Sequence, residues 1–103
     1  MEKYVRDGMV AVLVSPGYGA GWYTWNRESP ELLFDPTLVD LVLSGHESDE
    51  LVAYTHLKYP DAYTGGVGDL TVKWVPEGAR FRIDEYDGSE TLRLESDEEW
   101  MTA

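Results

Sequence analysis

The run Met9-Val10-Ala11-Val12-Leu13-Val14 is the longest apolar stretch in the chain, and it stops abruptly at Ser15-Pro16-Gly17. Its β-branched content and short length make it a strand. Its nearly continuous hydrophobicity, without polar alternation, requires that strand to be buried on both faces. It is therefore expected to be the central strand of the fold. It is also far short of the roughly 20 apolar residues that a membrane-spanning helix needs. The segment before it, Met1 to Asp7, carries acids and leads into too short an apolar stretch for a signal peptide. A cytoplasmic location is expected.

With 103 residues, there is material for one core, so a single domain spanning 1–103 is expected, with a flexible acidic tail from 95 to 103. Asp35-Pro36 starts a helix, because the carboxylate accepts a backbone N–H and proline fills the first helical position. Leu38, Leu41 and Val42 fall on one face, with Val39 and Leu43 alongside, and Gly45 supplies the stop. A second helix is expected with Ser48 as N-cap and Leu51, Val52, Tyr54, Thr55 and Leu57 packing, ending at Tyr59-Pro60. Residues 60–68 read as a loop. Leu70, Val72 and Trp74 then alternate with polar residues as in a half-buried strand. Phe81 and Ile83 alternate up to Asp87-Gly88, a hairpin dipeptide, and Leu92 and Leu94 alternate beyond it. A two-residue turn there sets Ile83 opposite Leu92 and Phe81 opposite Leu94. The expected class is α+β: a mainly antiparallel sheet of about four strands with two short helices, in the order β-α-α-β-β-β.

Charge narrows the partners. Twenty acids against eight Lys plus Arg give a formal net charge of -12. A polyanion repels phosphate and lacks the basic clusters that counterion release requires, which argues against direct nucleic-acid binding and against anionic membranes. A protein with a basic surface would instead be attracted. Solubility alone is a competing reason for such acidity. There is no cysteine, so disulfides, thiolate metal sites and a thiol nucleophile are excluded together.

Few residues suggest catalysis. Gly17-x-Gly19-x-Gly21 follows a strand, but the third glycine comes one residue early for a dinucleotide fingerprint and Trp22-Tyr23-Thr24-Trp25 opens a helix poorly. A turn whose amides form a small anion nest stays open, which keeps Gly17, Gly19 and Gly21 as candidate ligand-binding residues for a nucleotide or similar small molecule. His46 and His56 lack metal-like grouping. No cofactor, no metal site and no enzymatic activity are expected.

The more specific feature is acidic. From Asp84 to Glu99, eight of sixteen residues are Asp or Glu. Same-face residues on a strand lie about 6.6–6.8 Å apart, roughly twice the 3.4 Å per-strand rise of DNA, so such a row has the spacing of alternate phosphates. The alternative is a solvated hairpin edge protected by charge. Aromatics are typical interface anchors and acids a typical polar rim. Asp84, Glu85, Asp87 and Glu90, with Tyr18, Trp22 and Trp25 from the glycine loop, are accordingly the candidate partner-binding residues. Trp22 and Trp25 equally suit packing as core.

The segments Val12-Leu13-Val14-Ser15-Pro16-Gly17-Tyr18-Gly19-Ala20-Gly21-Trp22, Trp25-Asn26 and Phe81-Arg82-Ile83-Asp84-Glu85-Tyr86-Asp87-Gly88-Ser89-Glu90 resemble a family of small uncharacterised phage and prophage proteins. Small acidic phage proteins often inhibit host defence, anti-CRISPR proteins among them. What the resemblance implies is an inhibitor acting in the host cytoplasm. Its partner would be a host protein with a basic surface, such as a nuclease or CRISPR effector.

Overall fold

The computed structural model describes residues 1–97. The class is α+β, with two helices and two antiparallel sheets. β1 (Val5–Arg6), β2 (Met9–Val14) and β3 (Thr71–Pro76) form one sheet in that spatial order, with β2 in the middle. β4 (Phe81–Tyr86) and β5 (Ser89–Leu94) form the other. Between β2 and β3 run α1 (Pro36–Leu43) and α2 (Ser48–Lys58). The expected single sheet of about four strands is thus replaced by sheets of three and two strands, and β1 precedes the expected order.

The division has a physical reason in β2. Its alternate residues feed two separate cores. Ala11 and Leu13 join Trp22, Leu32, Leu38, Val39, Leu51 and Val67 on the helix side. Val10 and Val12 join Leu33 and Val75 on the other, where Phe81, Ile83, Leu92 and Leu94 of the hairpin close over them. A strand apolar on both faces needs a layer on each, and the hairpin serves better as the second layer than as an extension of the first sheet.

Local signals explain most of the elements. Asp35 Oδ1 accepts the Leu38 N–H at 3.0 Å, with Pro36 in the first helical position. α1 ends at Gly45, whose φ of 76° lets the Gly45 and His46 amides return to the carbonyls of Val42 and Leu41. Ser48 is not the cap of α2 but its first residue; Glu47 takes the cap position and makes no side-chain cap bond. Leu57 is 87% exposed rather than packed, since it lies about 200° around the helix from Thr55, which is fully buried. The 60–68 stretch ends in a 3-10 turn, Val67–Asp69.

The hairpin register is as expected, with Phe81 opposite Leu94 and Ile83 opposite Leu92. Its turn residues, Asp87 and Gly88, have φ of 50° and 84°. The same dipeptide, Asp7-Gly8, with φ of 53° and 76°, makes the unexpected β1–β2 turn. Glu95–Asp97 forms a 3-10 turn, and the Glu95 N–H donates to the Arg80 carbonyl. The rest of the expected tail, including Trp100 and Met101, lies outside the described residues.

Candidate functional site: the glycine loop against the acidic hairpin

The two sequence motifs meet. The Gly19 N–H donates to the Asp87 carbonyl at 2.8 Å, and the Ser89 hydroxyl donates to the Pro16 carbonyl at 2.6 Å. Gly88 is buried against the loop so closely that a Cβ there would stand 2.4 Å from the Ala20 nitrogen. At the junction lies Glu90, only 2% exposed. Its Oε1 accepts the Ser15 N–H at 2.9 Å. Its Oε2 accepts the N–H groups of Trp22 and Thr24 at 2.8 and 2.9 Å and the Thr24 hydroxyl at 2.7 Å. The Glu90 N–H in turn donates to the Ser15 carbonyl. The amides that gather around a carboxylate here belong to Ser15, Trp22 and Thr24, which flank the glycines, and the carboxylate is the chain's own.

Two candidate interface residues are corrected by this arrangement. Glu90 is a buried internal ligand, and its donors hold it away from any partner. Trp22 is fully buried in the helix-side core, with its indole N–H donating to the Leu32 carbonyl at 3.0 Å. The glycines too are placed by packing. A Cβ on Gly17 would stand 2.2 Å from Asp69 Oδ2, and one on Gly21 2.4 Å from Thr24 Oγ1. Within the loop, the amides of Trp22 and Thr24 donate to Glu90 and that of Gly19 to the Asp87 carbonyl.

The remaining candidates stay near the surface. Asp84 is partly exposed and shared by two arginines: Arg82 Nε at 3.2 Å and Arg93 Nε at 2.6 Å. Its charge is largely answered within the hairpin. Glu85 and Asp87 are exposed, although Glu85 Oε1 also accepts the Gly88 N–H. Tyr18 and Tyr86 are 75% and 78% exposed and, with Asp84, Glu85, Ser89, Thr91 and Arg93, line a hollow of about 210 Å³. Trp25 is 43% exposed and lies apart from this hollow, beside Tyr63 in a larger groove.

No family model matches the chain, and neither does any curated protein or solved structure.

A second buried carboxylate, Asp35, lies on the helix side and was read from the sequence only as a cap. It also accepts the Tyr54 and Tyr59 hydroxyls, at 2.9 and 2.6 Å, and pairs with Lys58 Nζ at 3.0 Å. Burial pushes its pKa up, but the hydrogen bonds from Tyr59, Leu38, Lys58 and Tyr54 outweigh this and hold it below the ordinary carboxylate value. The Asp35 hydrogen bond in turn holds Lys58 above the usual ammonium value. Burial, with Asp35 close by, raises Tyr59 and Tyr54. Such phenols are held protonated, the reverse of an activated base. His46 pairs with Glu50 at the surface, and His56 lies in the last turn of α2. Among the described residues, no group of three His, Cys, Asp or Glu side chains is arranged to hold a metal ion, and no helix is long and apolar enough to cross a membrane.

Proposed function

We propose that this domain is a non-enzymatic, phage-type inhibitor that binds a host nuclease or defence complex and covers a basic nucleic-acid-binding surface. The observation that carries the reading is the hairpin tip. There the two most exposed tyrosines, Tyr18 and Tyr86, flank the exposed carboxylates of Glu85 and Asp87. Aromatic anchors beside an acidic rim are the composition of a surface that docks on a basic one.

Lys3 lies over Phe34, Arg6 over Tyr4 and Trp74, Arg27 over Tyr23, and Lys58 over Tyr54 and Tyr59. These cations are exposed, but acids outnumber Lys and Arg twenty to eight, and the net charge of -12 steers a basic partner in.

The test is capture from host extract on the immobilised domain, followed by a nucleic-acid-binding assay of whatever is captured. A nucleic-acid-binding protein is expected, eluted by high salt and unable to hold its nucleic acid while the domain is bound. The combined variant Glu85→Lys, Asp87→Lys and Tyr86→Ala is expected to weaken that complex about tenfold or more. Undiminished binding by this variant, or a partner that keeps its nucleic acid in the complex, sinks the proposal.

A further inference from the structure

An open groove of about 600 Å³ lies beside Trp25. Trp25 forms part of its lining, with Tyr59 and Pro60 contributed by the end of α2, and Glu28 and Asp61 lie exposed along it. The aromatic surface is fixed in advance. Trp25 packs on Gly21, where a Cβ would stand 2.7 Å from the ring, and Tyr63 packs on Gly65, where the corresponding distance is 2.6 Å. The two rings lie 5.1 Å apart. Asn26 ties the two segments together: its Oδ1 accepts the Tyr63 N–H, and its Nδ2 donates to the carbonyls of Tyr63 and Trp22. Both rings remain 43% and 49% exposed. Preorganised, solvent-facing aromatics of this kind bind with little loss of side-chain entropy.

We infer that this groove seats an arginine side chain of the basic partner, its guanidinium against Trp25 and its N–H fork on the carboxylates of Asp61 or Glu28. The inference rests on the domain being a binder of basic protein surfaces and names the side chain it takes. Charge complementarity selects the occupant. The rim carries two carboxylates, and the groove's one cation, Arg27, lies over the ring of Tyr23 at 5.6 Å. The same carboxylates repel a phosphate, which disfavours a nucleotide on Trp25. Arginine suits the site better than lysine because its planar, weakly hydrated cation stacks on a ring and pairs with a carboxylate together.

Two heptapeptides test this, one alternating glycine with arginine and the other glycine with lysine, titrated into the intact chain at equal ionic strength. The Trp25 indole resonance is assigned with Trp25→Phe. The arginine peptide is expected to shift that resonance and to bind about fivefold more tightly than the lysine peptide. Trp25→Ala and Asp61→Lys should each abolish the preference. Asp61 is exposed, so its variant tests the site even if Trp25→Ala disturbs folding. Equal affinity for the two peptides, an unmoved Trp25 resonance, or equal binding of a proline-rich peptide overturns the inference. The two proposals fail separately. A captured nuclease sensitive to the hairpin variant, without arginine preference at Trp25, removes only the groove. Arginine preference without any displaced nucleic-acid-binding partner removes only the inhibitor reading.

Discussion

Asp35 and Glu90 are equally withdrawn from solvent, at 2% exposure each, but they are held in opposite ways. Three of the donors to Asp35 are tips of side chains: the phenols of Tyr54 and Tyr59 and the half-exposed ammonium of Lys58. Three of the donors to Glu90 are main-chain amides, from Ser15, Trp22 and Thr24. Phenols and ammonium groups near the surface turn to water when their acceptor is lost. Amides fixed by the path of the chain do not. The cost of losing a buried carboxylate should therefore follow the mobility of its donors more than the number of its hydrogen bonds.

The largest effect is expected at Glu90. Glu90→Ala leaves the Ser15 and Trp22 amides buried without an acceptor and removes the carboxylate that ties Ser15, Trp22 and Thr24 to the hairpin. At about 1–3 kcal/mol for each unsatisfied donor, the loss of stability is about 4 kcal/mol. Chemical denaturation measures it, and amide exchange should show Ser15 and Trp22 losing protection ahead of α1. A loss no greater than that of Asp35→Ala would erase the contrast between the two sites.

For Asp35 the expected loss is smaller, about 2 kcal/mol, chiefly the helix cap with the hydrogen bonds that do not find water. Its signature is pH dependence. The lowered pKa of Asp35 means that its contribution is present above the unfolded carboxylate pKa and lost as pH falls through the lower folded value. The raised pKa values of Tyr59, Tyr54 and Lys58 act at the other end. Their contribution is complete below about pH 10, the unfolded phenol value, and is lost as pH rises through the folded values. Asp35→Asn removes the charge that helps to raise all three, so its stability should fall less steeply than that of the native chain in an alkaline titration. Parallel alkaline limbs would show that Asp35 does not organise the cluster.

The contrast also explains what could be read from the sequence. Asp35-Pro36 was legible because a cap is a local device, set by residues within one turn. The hairpin was legible because Asp87-Gly88 lies between alternating apolar residues. Asp7-Gly8 makes the same turn, but it is preceded by Lys3-Tyr4-Val5-Arg6, where no apolar alternation marks a strand. Glu90 was obscured by the acids around it, although its phase carried a signal: it stands two and four residues before Leu92 and Leu94, on the face of β5 that turns inward. Arg82 and Asp84 fall on the opposite phase of β4 from Phe81 and Ile83. What no local pattern reveals is the acceptor's role, because Ser15, Trp22 and Thr24 are 75, 68 and 66 residues away from Glu90.

The smallest expected effect compares a glycine from each region. Gly45 at the end of α1 and Gly88 at the hairpin turn have similar positive φ, 76° and 84°. Alanine at either position therefore meets the same left-handed strain, about 1–2 kcal/mol. Their surroundings differ. A Cβ on Gly45 meets nothing within 4 Å, whereas one on Gly88 stands 2.4 Å from the backbone nitrogen of Ala20. The junction must then open by moving main chain, which adds about 1 kcal/mol or more. Gly88→Ala should accordingly be the more destabilising by that margin in denaturant melts, with the Gly19 amide, which donates to Asp87, losing exchange protection. Equal losses would mean that the glycine loop yields to the hairpin without resistance. In that case the donors around Glu90 are also mobile, and the distinction between the two carboxylates fails with them.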